Sequence, residues 1–197
     1  PTVYWEVVDR QRGADKWEGK LLFGDELAEG WHWGSNLVWE QETGGEEERI
    51  GSYEQPRWTA HRRFPTTRIY VIPEGEIEVE YWLRVDEPKH GNDTKLRHMY
   101  EIEFGLPYRF QFDFYIDSIH EGEWNFTVET ERKYELRWAV ADWGQLWGNP
   151  TLYWEVVDRQ RGPDKLEGKL LFGDEWAEGW HWGSNLVWEK ETGGEKE

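Results

Sequence analysis

No cysteine occurs among the 197 residues of this chain, which excludes disulfides, thiolate nucleophiles and cysteine-based zinc or iron–sulfur centres. Long apolar runs are missing as well. None approaches the roughly 18 residues of a membrane-spanning helix, and no charged-then-apolar leader opens the chain, so neither a membrane helix nor a signal peptide is predicted. Positive charge is scarce: 23 Lys and Arg against 41 Asp and Glu leave a net charge of −18. A field of that sign repels phosphate backbones and anionic lipid, so nucleic acid and membrane are both set aside as partners. It favours solubility, with an extracellular setting if the protein is natural. No cofactor is expected, since neither a phosphate loop nor a dinucleotide fingerprint is present, and no Ser/His/Asp catalytic set is found either.

Aromatic residues are what the chain has in excess. They make up 17% of it, with 16 Trp, while hydrophobic residues of all kinds reach only 37%. A core of flat rings suits a pleated surface better than a helical one.

Residues 1–48 recur at 150–197 at a constant offset of 149. Six positions differ: Val3/Leu152, Ala14/Pro163, Trp17/Leu166, Leu27/Trp176, Gln41/Lys190 and Glu47/Lys196. The exchanged Trp and Leu at the third and fourth of these suggest that residues 17 and 27 touch in the fold, since volume-conserving swaps are what packed cores accept. Fidelity this high points to very recent duplication or deliberate construction. The chain divides into two equivalent β modules, 1–48 and 150–197, around a central antiparallel segment, 49–149. Three arrangements stay open: one compact unit, a 149-residue repeat followed by a partial second copy, or strand exchange with a neighbour.

Alternation of period two runs through the centre. Ile77, Val79, Tyr81, Leu83 and Val85 share one face of a strand, and Tyr108, Phe110, Phe112, Phe114 and Ile116 share another. Trp124, Phe126 and Val128 continue the pattern, as do Tyr134, Leu136, Trp138 and Val140. Turn residues at Pro73-Glu74-Gly75, His90–Asp93, His120-Glu121-Gly122 and Thr43-Gly44-Gly45 separate these runs. No helical period is sustained; Asp25–Glu29 and its copy predict a turn at most. The chain is expected to be all-β, an antiparallel sandwich or jelly roll, with a closed β-barrel as the alternative. Aromatic alternation also suits a membrane barrel, but the polar run 44–49 and a mean hydropathy of −0.95 argue for water.

The repeated dodecamer EGWHWGSNLVWE (29–40 and 178–189) reads as one strand passing through Gly34. Trp31, Trp33 and Trp39 then share a face, and His32 lies on the other. The same holds for Trp180, Trp182 and Trp188. The six Trp are candidates for stacking on a glycan, but lining a core, with His32 in solvent, is the expected role. His90, Asp93 and His98 bracket a turn without standard ligand spacing, so no metal is assigned. His61-Arg62-Arg63 either pairs with carboxylates or binds an anion. Asn92 and Asn125 fit the glycosylation pattern, and only Asn92 falls in a predicted turn.

Glu76, Glu78 and Glu80, as E-I-E-V-E, resemble the E-x-D-x-E strand of glycoside hydrolase family 16, jelly-roll β-glucanases, with Glu78 in place of the family's Asp. His98–Asp117 resembles that family's following strand pair. The segments at 75–88 and 122–129 resemble strands of concanavalin A-like jelly rolls in general. The resemblance implies a retaining hydrolase in which these three carboxyls serve as nucleophile, helper and acid/base. The competing reading is a solvated, Glu-rich strand face. The leading expectation is a non-enzymatic structural or scaffold β protein, designed or engineered, or a subunit of a repeat assembly. It self-associates through its duplicated ends; a glycan-binding module or hydrolase is the alternative.

Overall fold

The computed structural model describes residues 2–8, 16–42, 49–62, 64, 67–86, 95–121 and 127–193. The chain is all-β. Its strands are β1 (Thr2–Val8), β2 (Lys16–Ala28), β3 (Trp31–Glu42), β4 (Arg49–Ile50), β5 (Gln55–Pro56) and β6 (Ile77–Asp86). Then follow β7 (Lys95–Leu106), β8 (Phe110–Glu121), β9 (Thr127–Ala139), β10 (Thr151–Arg159), β11 (Asp164–Ala177) and β12 (Trp180–Thr192). A 3-10 turn at Arg57–Ala60 and another at Pro107–Arg109 interrupt them.

Ten strands form one open antiparallel sheet in the order β1-β2-β3-β12-β11-β10-β9-β8-β7-β6, and β4-β5 make a small ribbon. The expected pair of facing sheets is therefore not what the described strands build. Within the runs β1–β3 and β6–β12 consecutive strands are antiparallel neighbours, and β3 pairs with β12 to join the runs, so none of these ten strands is carried into a second layer. Both terminal segments are three-stranded meanders in the same register: Thr2 faces Leu22 as Thr151 faces Leu171, and Lys16 faces Glu42 as Lys165 faces Glu191. Gly30 and Gly179, at φ 71° and 72°, supply the left-handed turns before β3 and β12. After the Glu29-Gly30 turn, the rest of the dodecamer is one strand through Gly34, as its alternation implies. Residues 17 and 27 do not touch by this register. They lie ten positions apart on β2, about 33 Å at the rise of a strand, so the Trp/Leu exchange is not a packing swap.

The two faces of the sheet differ in a way opposite to expectation. The described residues of 49–76 lie across one face, and many of the side chains beneath them are polar. Gln111, Asp113, Asp117, Glu101, Glu103, Glu135 and Arg137 are all buried. The other face carries Ile77, Val79, Tyr81, Leu83 and Val85 on β6, Phe110, Phe112, Phe114 and Ile116 on β8, and Tyr134, Leu136 and Trp138 on β9. Its apolar side chains are open: Val79 is 77% exposed and Leu83 55%.

A small apolar core seals the covering segment. Tyr53, Trp58, Phe64, Ile69, Tyr70 and Val71 pack with Ala139 and Trp143. Trp143 meets Trp58 and Tyr70 edge-on at 5.5 and 5.3 Å, and Trp58 stacks on His181 at 4.3 Å. Main-chain groups of the segment are answered by the sheet: the Ile72 N–H donates to Gln111 Oε1 at 2.8 Å, and Gly75 and Gly105 are hydrogen-bonded at 2.9 Å. Gly105 allows this approach, because a Cβ there would overlap the Pro73 carbonyl. Gly105→Val is expected to destabilise the protein by about 1–3 kcal/mol, read as a lowered denaturant midpoint.

Candidate functional site

Under residues 57–72 the polar face gathers charges of both signs. Arg68 Nη2 donates to Glu78 Oε2 at 2.5 Å and to Glu80 Oε1 at 3.1 Å, and its Nη1 pairs with Glu103. Arg62 Nη2 reaches Glu80 at 2.8 Å, Glu101 at 2.6 Å and Glu103 at 3.2 Å. Both arginines come from the covering segment, and the four carboxylates come from the neighbouring strands β6 and β7. Burial acts to lower the Arg62 pKa, but Glu101 and Glu80 overcome it and hold the guanidinium charged.

Deeper in the sheet the pairing is between strands. Arg137, 0% exposed, is bound by Glu135 and lies 3.4 Å from Asp113. Tyr115 donates to Glu135 at 2.7 Å, and Gln111 donates to Glu103 and Asp113 at 2.9 Å. Lys133 and Arg97 meet Asp117 at 3.0 and 3.1 Å. Lys165 bridges Glu167 and Glu189 at 2.8 and 3.0 Å.

Register explains why so many cations are needed. Glu78, Glu103, Asp113, Glu135, Glu155, Glu167 and Glu189 are direct cross-strand partners in succession, an acidic row running across seven strands. Neighbouring strands lie about 4.8 Å apart, and like charges so placed repel. Arg137, Lys133, Lys165 and Lys169 stand one pleat to either side of that row, on the same face.

The predicted sites fall as follows. Glu78 and Glu80 share the covered face and are held by Arg68 and Arg62, whereas Glu76 is exposed in the turn before β6. Oxygens of Glu78, Glu80 and Glu103 lie within 4.8 Å of one another, as do those of Glu101, Glu103 and Asp113; guanidinium groups already provide the positive charge there. Trp31 and Trp33 are 41% and 37% exposed on the opposite, apolar face, where β3 also places Trp39. They are not core. The covered position belongs to the histidine, and His181, the copy of His32, is 5% exposed beneath Trp58. Trp180, Trp182 and Trp188 lie on the apolar face too, with Trp182 5.5 Å from Trp147 and Trp180 6.1 Å from Trp176. The six Trp and the three Glu thus do not share a groove.

His98 also sits on the apolar face, 2.7 Å from the Tyr81 hydroxyl. His90, Asp93, Asn92 and Asn125 lie outside the described residues. Of the basic cluster, Arg62 takes the carboxylate-pairing role. Sequence reading missed Arg68, Glu101, Glu103, Asp113, Glu135 and Arg137. Their signal was the charge recurring at one phase of every strand, as in Glu101-x-Glu103 and Glu135-x-Arg137.

Two outcomes are expected. Arg137→Ala strands Glu135 and Asp113 and lowers stability by about 3–5 kcal/mol, measured by denaturant titration; Arg137→Met with Glu135→Leu costs less than the single change. Burial and the nearby Asp142 raise the pKa of Tyr70, whose hydroxyl donates to the Ala141 carbonyl at 2.7 Å. The fold therefore favours the protonated phenol. Its contribution is complete below the ordinary tyrosine pKa of about 10 and is lost as pH climbs from there through the raised value. Trp fluorescence should report the covering segment loosening in that window, with a smaller alkaline step in Tyr70→Phe.

No family model, curated protein or solved structure matches the chain.

Proposed function

We propose that this chain forms the wall of a membrane-embedded β-barrel, with its apolar face toward lipid and its charged face lining the interior, closed over by residues 49–76. The observation that carries the reading is the inversion itself. From β2 and β3 through β12 to β6, the exposed face is mainly apolar, and the covered face carries the buried charges, interspersed with Val38, Tyr115, Ile119, Tyr153, Val157 and Leu171. A water-soluble sheet places them the other way, while transmembrane barrels alternate apolar-out and polar-in.

Strand β6 presents Ile77–Val85, nine residues of alternation, within the length a tilted transmembrane strand requires, about 9–11 residues. On β3 and β12 the outward aromatics mark two levels. Trp39 faces Trp180 and Trp31 faces Trp188, separated by about 27 Å along the strand and less once tilted. That spacing matches aromatic girdles flanking an apolar band about 25 Å tall. The outer face also carries one ion pair, Arg132 with Asp158 at 3.5 Å, in the cross-strand row that continues through Ile116, Tyr100 and Tyr81. The ten strands alternate in direction throughout, so β1 and β6 are oriented to close antiparallel, as the even strand number of such barrels demands.

Mean hydropathy does not weigh against this, because it averages a lipid-facing set with an equally large charged set. No helix among the described residues is long and apolar enough to cross a membrane, which leaves strands unaddressed. The ion-paired carboxylates serve the interior, in keeping with a non-enzymatic role.

Reconstitution into vesicles whose lipids carry bromine along the acyl chains tests the reading. Quenching of Trp emission, together with a detergent requirement for solubility, is expected. A protein monodisperse without detergent and unquenched by such vesicles would instead bury the apolar face against another protein surface. Phe114→Arg, on the outward face of β8, should cost about 2–4 kcal/mol in the bilayer.

A further inference from the structure

The seam between β3 and β12 has the symmetry of a two-fold contact between identical pieces. Ser35 lies opposite Ser184, its own copy. On either side Trp33 faces Leu186 as Leu37 faces Trp182, and Gly34 faces Asn185 as Asn36 faces Gly183. The hydrogen bonds are reciprocal. Ser35 Oγ donates to the Gly183 carbonyl at 3.0 Å and Ser184 Oγ to the Gly34 carbonyl at 3.2 Å. Likewise the Glu40 N–H donates to the Gly179 carbonyl and the Glu189 N–H to the Gly30 carbonyl, both at 2.7 Å.

Shape follows the same operator. A Cβ on Gly34 would press on Asn185 Oδ1 at 2.7 Å, and one on Gly183 on Asn36 Oδ1 at 2.8 Å. Each copy therefore carries both the gap and the side chain that fills it. The N-terminal module, β1-β2-β3, is paired to the remainder of the sheet along this seam alone among the described strands.

We infer that two copies of this chain associate by exchanging their N-terminal modules, β3 of each pairing with β12 of the other in the register seen here. Exchange breaks and remakes the same set of bonds, so neither form gains contacts. Domain swapping is a low-cost route to dimers under that condition. What opposes it is the effective concentration of a module held on the same chain, of order millimolar for a short tether. Exchange is therefore favoured by crowding many copies into one phase. The inference stands apart from the membrane reading, since the seam is the same in either solvent.

The absence of native cysteine makes the test direct. Ser35 and Ser184 form a pair on the side of the ladder where opposed Cα atoms lie about 4.5 Å apart, within disulfide range. Full-length S35C and S184C chains are unfolded, mixed at high concentration, refolded together and oxidised mildly. A disulfide-linked dimer is expected in the mixture and not in either variant alone, falling several-fold when refolding is carried out at ten-fold dilution. S35C/S184C in one chain serves as the check on geometry and should close within the monomer. A double variant that closes while the mixture yields no linked dimer would overturn exchange. So would a linked dimer from S184C alone, which would mean β12 meeting β12, and so would a double variant that folds yet fails to close.

Discussion

Burying charge is tolerated only where each ion meets an opposite one and keeps its hydrogen bonds. That constraint shapes this molecule more than apolar burial does, although it is met incompletely: Arg137 Nη1 and Nη2 and Asp117 Oδ1 are buried without a hydrogen-bond partner among the described residues. The core of rings around Trp143 is small and local, whereas the charged face extends across seven strands. Arg62 and Arg68 must sit where they do because Glu78, Glu80, Glu101 and Glu103 converge from two strands. The described part of the covering segment delivers those two guanidinium groups to the β6–β7 end of the sheet. Once the segment is laid there, Trp58 reaches His181, Tyr70 reaches Trp143, and the remaining apolar contacts are settled by proximity.

The strands themselves were readable. Alternation located β6, β8 and the second half of β9, placed the dodecamer on one strand through Gly34, and paired Trp31 with Trp33 and Trp39 on a common face. What alternation does not carry is which face is dry. Period two is symmetric under exchange of the faces, so the usual assumption that rings point inward put the Trp in the core, and that assignment inverted; of the two histidines on the opposite phase, His181 is buried while the His32 side chain stays 42% exposed. The sheet order was also out of reach, because β3 pairs with β12 across most of the chain, and no local turn signals that join.

The charged cluster was legible only in fragments. Glu78 and Glu80 stood out for their spacing, yet their partners lie on other elements: Arg68 ten residues before Glu78 in a stretch without periodicity, Glu103 on the next strand. A strand read alone shows Glu101-x-Glu103 or Glu135-x-Arg137 as an ordinary wet face. Aligned by register, the same residues become one row, and the need for interleaved cations becomes plain. The duplication was visible letter by letter, but the two-fold character of the β3–β12 seam depends on Ser35 facing its own copy, which is a property of pairing and not of repetition.

The acidic row has a consequence for the β6–β7 end of the sheet. Strands that bring carboxylate opposite carboxylate gain little from zipping up by themselves, since each added hairpin lengthens a line of like charge. Relief for the β6–β7 end comes from Arg62 and Arg68, which precede those strands in sequence but must fold back over them. The covering segment is thus part of what holds that edge of the sheet together: without the two guanidinium groups, Glu78, Glu80, Glu101 and Glu103 would face one another across β6 and β7 with no cation between them.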